Sequence, residues 1–429
     1  MKFQNKDFVD LRSPLRKRLS RISGFTLFIF GIMACLGGGN FFFDYTEALH
    51  NVAKIEVEEV EEEVEIAITI NPPREIYTPL FLAYDEKTKE IIQKTKFIAA
   101  TLNPLPSTGK QRGVYIHMNH IADETIFNAK IKQINNSKMN AIVFDVKGSY
   151  VYFHSNSKIA QENNLIKPLY DLPEVVKKLR ADGIYTIARV IAIKDPKFAL
   201  QNPELRLHRS KKSDHLGDRW VKPEHPKVTD YNHEIVKEII EAGVDEINLD
   251  FIRYPTELGN DFLGISAEDK VQNLEVFLQM VRNTIDRLNP NVQLSINTFA
   301  ILGWNYEENV VTLGQDVLRF TKYVDIIAPM IYPSTFKSKW YYNPRTDKGG
   351  RIYTIVKKTL MGYADILGED AVKLRPWLQG YVAKKEEALS QIRGVFDAGY
   401  CGFMFWEGKN DYALTYRALK MVEVPENCK

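Results

Sequence analysis

The sequence predicts an α/β fold, a (β/α)8 TIM barrel preceded by an N-terminal transmembrane helix and a linker. Three observations predict this arrangement. Eight short apolar runs alternate with amphipathic stretches after residue 112, an uncharged stretch follows a basic N-terminus, and an acidic segment lies between them. The 429 residues carry 57 Lys and Arg against 55 Asp and Glu. This ordinary composition excludes collagen, low-complexity disorder and a polytopic membrane protein.

The N-terminus has the pattern of a membrane anchor. Residues 1–21 hold seven basic and two acidic residues, and residues 22–43 hold no charge. At about 1.5 Å per residue, such a stretch would cross the roughly 30 Å hydrocarbon core of a bilayer. Because basic flanks stay in the cytoplasm, we expect 1–21 to be cytoplasmic and 22–43 to be a transmembrane signal anchor. The rest would then lie outside the cytoplasm, tethered to the cell membrane by a single pass.

Two alternatives to a permanent anchor remain open. Residues 32–35 resemble a lipobox, in which cleavage before Cys35 would leave a lipidated cysteine. The segment also resembles an ordinary cleaved signal peptide, which would give a secreted form. The long basic region favours the uncleaved anchor. All three interpretations place the barrel outside the cytoplasm. The cysteines form no CxxC pair or framework spacing, so we expect neither a zinc site nor a disulfide scaffold.

Residues 44–112 are predicted to be a linker or stalk. Seven of the ten residues from Glu56 to Glu65 are Glu, which is typical of a solvated linker or an exposed helix. Proline pairs at 72–73 and around 104–106 punctuate the remainder.

Residues 113–429 have the pattern of the barrel. Continuous apolar strands separated by helices predict a parallel sheet that is buried on both faces. Eight repeats favour a closed barrel over an open doubly wound sheet. No glycine-rich phosphate motif follows a strand, so we expect no nucleotide cofactor. The predicted strands are Gly113–Met118, Ala141–Val146, Ile184–Ile191, Glu246–Asp250, Val292–Asn297, Ile326–Ile331, Leu374–Gln379 and Gly402–Trp406.

Polar, acidic and aromatic residues gather at the predicted strand ends. The active site of such a barrel lies at the C-terminal ends of its strands. Amides and carboxylates there suit sugar hydroxyls, and Trp or Tyr rings suit the apolar faces of a sugar. The residues predicted to bind substrate are Lys147, Arg189, Arg253, Asn297, Tyr332, Gln379 and Trp406.

Asp250 is the first catalytic candidate. It ends an apolar strand, where a buried carboxylate must be paired or functional. We expect Arg253 to hold it ionised, as the nucleophile or charge stabiliser of a glycosidase requires. The alternative is a structural ion pair that closes the rim of the barrel. Asp145 is similar, with Lys147 as its expected partner and a helix-capping role as its alternative.

A glycosidase also needs a second carboxyl group to protonate the leaving oxygen. Glu407 and Asp145 are both candidates, and the sequence does not choose between them. His117 and His120 lack a recognised ligand spacing, so we expect no metal.

Several blocks, in this order, carry a family resemblance. They are Gly113–Tyr115, Asn140–Lys147, Tyr185–Arg189, Lys194–Pro196, Asp245–Pro255, Ala328–Pro333 and Gly402–Trp406. They resemble the bacterial "Putative glycosyl hydrolase domain" family, a domain family of unknown function placed among the TIM-barrel glycoside hydrolases. The resemblance implies that Asp250 occupies the strand-four acidic position of related barrels and that Asp145 belongs to a shared strand-two motif.

The chain departs from the family pattern at Lys222, where Asn or Asp is expected. It also lacks the Glu that chitinase-like enzymes carry near the position of Arg253, which argues against a chitinase mechanism.

These observations predict a glycosidase that acts on a cell-surface or extracellular polysaccharide. The alternative is a non-catalytic glycan-binding barrel of the cell envelope. Residues 22–429 carry 50 basic against 53 acidic residues. This balance favours a neutral glycan over a polyanion, and we expect no nucleic-acid partner.

Overall fold

A computed structural model describes residues 109–207, 219–256, 263–337 and 339–428 of the protein. Eight parallel strands pair in sequence order, and the last pairs with the first, so the sheet closes into a barrel. The (β/α)8 prediction is therefore confirmed. The predicted segments 1–21 and 22–43, and the linker up to residue 108, lie outside the described residues. Within the described part of the chain, no helix is long and apolar enough to cross a membrane.

The strands follow the apolar runs closely. β7 is shorter than predicted because Pro376 has no N–H for the ladder, and before it Leu374 forms only an isolated bridge with Ile327. The strands are β1 Arg112–Ile116, β2 Ala141–Lys147, β3 Tyr185–Ile191, β4 Glu246–Asp250, β5 Gln293–Phe299, β6 Ile326–Ile331, β7 Trp377–Gln379 and β8 Phe403–Trp406.

Helices connect the strands and form the outer layer. They are α1 Met118–Ala122, α2 Glu124–Asn135, α3 Lys158–Glu162, α4 Leu172–Ala181, α5 Pro196–Gln201, α6 Pro226–Glu241, α7 Ala267–Leu288, α8 Tyr306–Leu313, α9 Val317–Phe320, α10 Arg351–Leu367, α11 Lys385–Asp397 and α12 Ala413–Lys420.

Local sequence explains where these helices begin and end. The Ser266 hydroxyl accepts from the Asp269 N–H at 3.0 Å and so caps α7. α4 ends just before Gly183, which has a φ of +69° that favours glycine.

The barrel has two apolar layers. Alternate strand residues fill its interior, among them Tyr115, Val143, Ile187 and Trp377, and the opposite faces pack against the helices. At the N-terminal end of the barrel, Arg375 and Glu246 form an ion pair whose side chains are 2% and 0% exposed. A buried ion pair therefore fills the barrel interior at this end.

Two cysteines form a bond that the sequence pattern did not predict. Cys401, just before β8, forms a disulfide with Cys428, and the two are separated by 27 residues. The Arg112 guanidinium also donates to the Cys428 carbonyl at 3.3 Å. The bond fastens the C-terminal segment beside the start of β1. A single pair at this spacing matches no sequence framework, which is why the pattern did not reveal it.

Candidate active site

Two aspartates share one arginine at the C-terminal ends of β2, β3 and β4. Arg189 Nη1 donates to Asp145, while its Nε and Nη2 donate to Asp250 Oδ2 at 3.0 and 2.5 Å. Asp145 and Asp250 are only 6% and 7% exposed, and the Arg189 side chain is 12% exposed. The guanidinium thus compensates two buried negative charges that would otherwise repel each other.

Two tyrosines hold Asp145 from the side of β1 and β2. The Tyr115 hydroxyl donates to Asp145 Oδ2 at 2.5 Å, and the Tyr170 hydroxyl donates to the Asp145 backbone carbonyl. Burial raises the pKa of Tyr115 well above its usual range, and the charge of Asp145 raises it further. The Tyr115 phenol therefore stays protonated and acts as a hydrogen-bond donor to Asp145.

The chain turns sharply directly after Asp250. Phe251 has a φ of +56°, a left-handed conformation that a bulky residue seldom adopts. The turn aims the Phe251 N–H at Asp250 Oδ1, with an N–O distance of 2.7 Å. Both Asp250 oxygens are thus held by donors, one by Phe251 and the other by Arg189.

The cation bound to Asp250 is Arg189, whereas the sequence pointed to Arg253. The Arg253 guanidinium donates to the Tyr254 carbonyl at 2.9 Å. It also lies over the rings of Phe299, Trp220 and Phe251, at 4.5, 4.9 and 5.5 Å from their centroids. Its predicted contact with substrate stays a prediction.

Lys147 also has a different partner from the expected Asp145. Its ammonium is fully buried and donates to Asp195 at 2.9 Å and to the Ile191 carbonyl at 2.8 Å. The strand register shifts between Asp145 and Lys147, and the ammonium lies 5.0 Å from the Tyr231 ring centroid on α6. In this position Lys147 ties β2 to β3 and to the helix layer. Its predicted role in substrate binding stays untested.

Aromatic rings form one wall of the site. Trp406 lies 6.4 Å from Tyr115 in a stacked arrangement, 6.0 Å from Tyr332 and 5.8 Å from Tyr381, measured between ring centroids. Burial raises the pKa of Tyr332 well above its usual range, and the nearby charge of Asp250 adds to this effect. The wall combines apolar ring faces with protonated hydroxyl groups, as carbohydrate recognition requires.

An amide network lies below the carboxylates. Asn297 Oδ1 accepts from the Asn248 amide at 2.9 Å and from the Trp377 indole at 2.7 Å. The Asn248 side-chain oxygen Oδ1 is buried and accepts no hydrogen bond from the described residues. Gln379 instead joins two loops, accepting from Ser334 N at 3.0 Å and donating to the Tyr381 carbonyl at 3.1 Å.

Glu407 forms hydrogen bonds within the loop that follows β8. Its Oε2 accepts from the Asp411 N–H at 3.0 Å, and its N–H donates to the Tyr412 hydroxyl at 3.0 Å. The Arg189 bridge joins Asp145, and not Glu407, to Asp250. Of the two candidates for the second carboxyl group, Asp145 is therefore the one linked to Asp250.

His117 caps the helix that follows β1. His117 Nδ1 accepts from the Asn119 N–H at 3.3 Å at the start of α1. Burial lowers the pKa of His117, although the charge of Asp145 acts in the opposite direction. Among the described residues, no group of three or more His, Cys, Asp or Glu is arranged to hold a metal ion.

Sequence reasoning missed Tyr115, Tyr170, Asn248 and Trp377. Asn248 had a usable signal, because it lies two residues before Asp250 at the end of β4 and so shares its inward face. Tyr170 lies in a connection without periodic pattern, and only the folded chain brings its hydroxyl to Asp145.

Comparison with solved structures shows the same fold. An endo-β-1,4-mannanase from Thermotoga petrophila is similar, with a TM-score of 0.51 and 13% identity over 73% of this chain and 76% of its own. A β-galactosidase from the psychrophilic Marinomonas ef1 has a TM-score of 0.50 and 10% identity over 72% and 58%. A hypothetical protein from Ruminiclostridium thermocellum is 27% identical over 43% of this chain and 96% of its own, with a TM-score of 0.38.

No curated protein matches the sequence. Residues 113–412, by contrast, match the family described as "Putative glycosyl hydrolase domain", and this range includes all eight predicted strands and the Asp145–Arg189–Asp250 bridge. The chain belongs to that family of glycoside hydrolase-like TIM barrels.

Proposed function

We propose that the protein hydrolyses a glycosidic bond in a cell-surface or extracellular polysaccharide. The observation that carries this proposal is the pair of buried aspartates joined by Arg189 beside an aromatic wall. Two carboxyl groups that flank the scissile bond are the machinery of most glycosidases. Family membership supports the same class of reaction.

Asp250 is the proposed nucleophile or charge stabiliser. Positive charge develops on the sugar ring in the transition state, and Asp250 presents a buried carboxylate to it. The Phe251 N–H and the Arg189 guanidinium fix the carboxylate before substrate arrives, which avoids reorganisation during the reaction.

Asp145 is the proposed second carboxyl group. It accepts hydrogen bonds from both Tyr115 and Arg189, so the oxygen that Arg189 holds must be released and take up a proton from water before Asp145 can protonate the leaving oxygen. A sugar that enters between the aspartates would displace part of the Arg189 contact. The Tyr115 hydroxyl would continue to orient Asp145 through the other oxygen.

We place the barrel outside the cytoplasm, tethered by residues 22–43. The basic and uncharged N-terminal pattern supports this location. The Cys401–Cys428 disulfide supports it independently, because disulfides persist in oxidising compartments and are rare in the cytosol.

A second candidate function is a catalytically silent barrel that binds surface glycan. The position of Arg189 favours it, since the guanidinium separates the two carboxylates that would have to flank a substrate bond.

One experiment separates the two functions. The full chain and its Asp250→Asn variant are incubated with a panel of polysaccharides, and both bound glycan and new reducing ends are measured. The proposed function predicts reducing ends with the wild-type chain that disappear in the variant. Saturable binding without reducing ends from any polymer would reject hydrolysis in favour of the binding function.

A further inference from the structure

A second group of aromatic residues lies on the rim, apart from the wall around Trp406. Trp340 is 67% exposed. Its ring lies 5.8 Å from Trp304 and 5.2 Å from Tyr341, with interplanar angles of 59° and 80°. The neighbouring rings thus meet Trp340 at steep angles, and most of its large apolar surface faces solvent. Together with the partly exposed Trp304 and Tyr341, the indole forms a contiguous apolar patch on the rim, and such patches mark interaction sites.

The segment that presents Trp340 is held in place. Arg351, at the start of α10, donates to the Pro333 carbonyl at 3.0 Å and also to the Phe336 carbonyl. The Trp304 indole donates to Thr359 Oγ1 at 2.8 Å. The Trp304 ring and the backbone at Pro333 and Phe336 are therefore fixed before any ligand binds, which lowers the entropy lost on binding.

The topology places this group beside the proposed site. Trp304 follows β5 and Trp340 follows β6, and both connections lie on the C-terminal face of the barrel. β5 is the strand next to β4, which ends at Asp250. The connection after β6 begins with Tyr332, which belongs to the wall around Trp406. A chain that leaves the site along this side would reach Trp340.

The same connection is basic. Its exposed cations are Lys337, Lys339, Arg345 and Lys348, and none of them forms an ion pair with a residue that the structure describes. Asp347, the acidic residue between them, is paired with Lys358 at 2.7 Å.

The barrel as a whole, like this connection, carries more basic than acidic residues. Residues 109–429 carry 44 Lys and Arg against 40 Asp and Glu, so the acidity of residues 22–429 comes entirely from the segment before the barrel. The overall balance that favoured a neutral glycan therefore does not describe this surface.

We propose that Trp340 and the cations around it form an outer subsite for an acidic polysaccharide, one whose sugars bear carboxylate or phosphate groups. A sugar ring would stack on the indole, and Lys337 and Lys339 would face the acidic substituents. The inference rests on the proposed function, since it describes an extension of the same polysaccharide beyond the reacting sugar.

Affinity electrophoresis of the detergent-solubilised full chain tests the subsite. Polygalacturonate and alginate serve as acidic polymers, and hydroxyethyl cellulose and galactomannan as neutral ones. All variants carry Asp250→Asn, so that hydrolysis does not alter the gel. We expect retention by at least one acidic polymer, a loss of at least five-fold in affinity with Trp340→Ala, and a smaller loss with Lys337→Gln/Lys339→Gln.

Two controls match these changes. Val372→Ala alters an apolar residue that is 78% exposed, and Lys132→Gln/Lys420→Gln removes two exposed charges from outer helices. Neither should alter retention, and Trp340→Phe should keep most of it.

Three outcomes would overturn the subsite. They are retention unaffected by Trp340→Ala, equal retention by neutral and acidic polymers, and no retention by either acidic polymer. Absence of hydrolysis by the wild-type chain, with Trp340-dependent retention intact, would instead reject the proposed function and leave the subsite standing.

Discussion

Arg189 contacts Asp250 through two nitrogens, with Nε at 3.0 Å and Nη2 at 2.5 Å from the same carboxylate oxygen. The third nitrogen of the fork, Nη1, turns the other way to Asp145. One rigid guanidinium therefore sets the relative positions of both candidate catalytic groups. Both the stability of the fold and the enzymatic activity should therefore depend on Arg189.

Removal of the Arg189 cation should destabilise the fold strongly. Arg189→Met leaves two buried carboxylates without compensation, and such a loss costs about 3–5 kcal/mol in the free energy of unfolding. Urea denaturation measures this quantity. Lys177→Ala is the matched control, since its ion pair with Glu174 is 76% and 69% exposed and should be worth less than about 1 kcal/mol. Equal effects of the two substitutions would refute the bridge.

The positive φ at position 251, directly after Asp250, should restrict which residues can replace Phe251. Phe251→Asn can keep a positive φ, whereas a β-branched residue cannot do so without strain. We expect Phe251→Val to be less stable than Phe251→Asn by about 1–2 kcal/mol and to lose more activity, because the N–H that holds Asp250 Oδ1 moves. Parallel unfolding and rate measurements check this, and equal behaviour of both variants would contradict it.

His225 should contribute to acid sensitivity. Its Nδ1 accepts from the Lys227 N–H at 3.2 Å and so caps α6. Burial, with the charge of Lys222 second, lowers the pKa of His225 from its ordinary value of 6.5. The folded state therefore favours the neutral imidazole ring of His225. The contribution of this ring to the stability of the fold is complete above pH 6.5 and is lost as the pH falls through the folded-state pKa.

Thermal unfolding between pH 7 and pH 5 tests this contribution. Asn is also a good N-cap and does not titrate, so His225→Asn should lose less stability over this range than the wild type. If the melting temperature of His225→Asn falls as steeply with pH as that of the wild type, His225 is not the titrating cap.

The disulfide should stabilise the barrel measurably. Closure of a loop of this length contributes about 3–4 kcal/mol in the chain-entropy description. Dithiothreitol should therefore lower the melting temperature of the wild type, while Cys401→Ser/Cys428→Ser should already melt lower and not respond. A melting temperature that is indifferent to reductant would show that the bond is absent or makes no contribution.

The sequence sufficed for the barrel because each strand is a continuous apolar run between amphipathic helices. β2, for example, is buried at all seven positions, and such runs need no knowledge of tertiary contacts. Asp145 and Asp250 were found in the same way, as charges that end apolar runs.

The ion-pair partners could not be found from neighbours along the chain. Arg253 and Lys147 lie close to the aspartates in sequence. The cation that pairs with both aspartates is instead Arg189 on β3, the strand between β2 and β4. Arg189 pairs in register with Asn248 and lies beside Asp145. The register shift that carries Lys147 to Asp195 leaves no mark in the sequence.

The rate of glycosidic bond cleavage in single-residue variants of the full chain tests the central claim most directly. Asp250→Asn and Asp145→Asn should each lower the rate on the best polysaccharide of the panel by at least about 100-fold, while the fold stays intact by circular dichroism. Cleavage within ten-fold of the wild type in either variant would show that the bridged aspartates are not the catalytic pair.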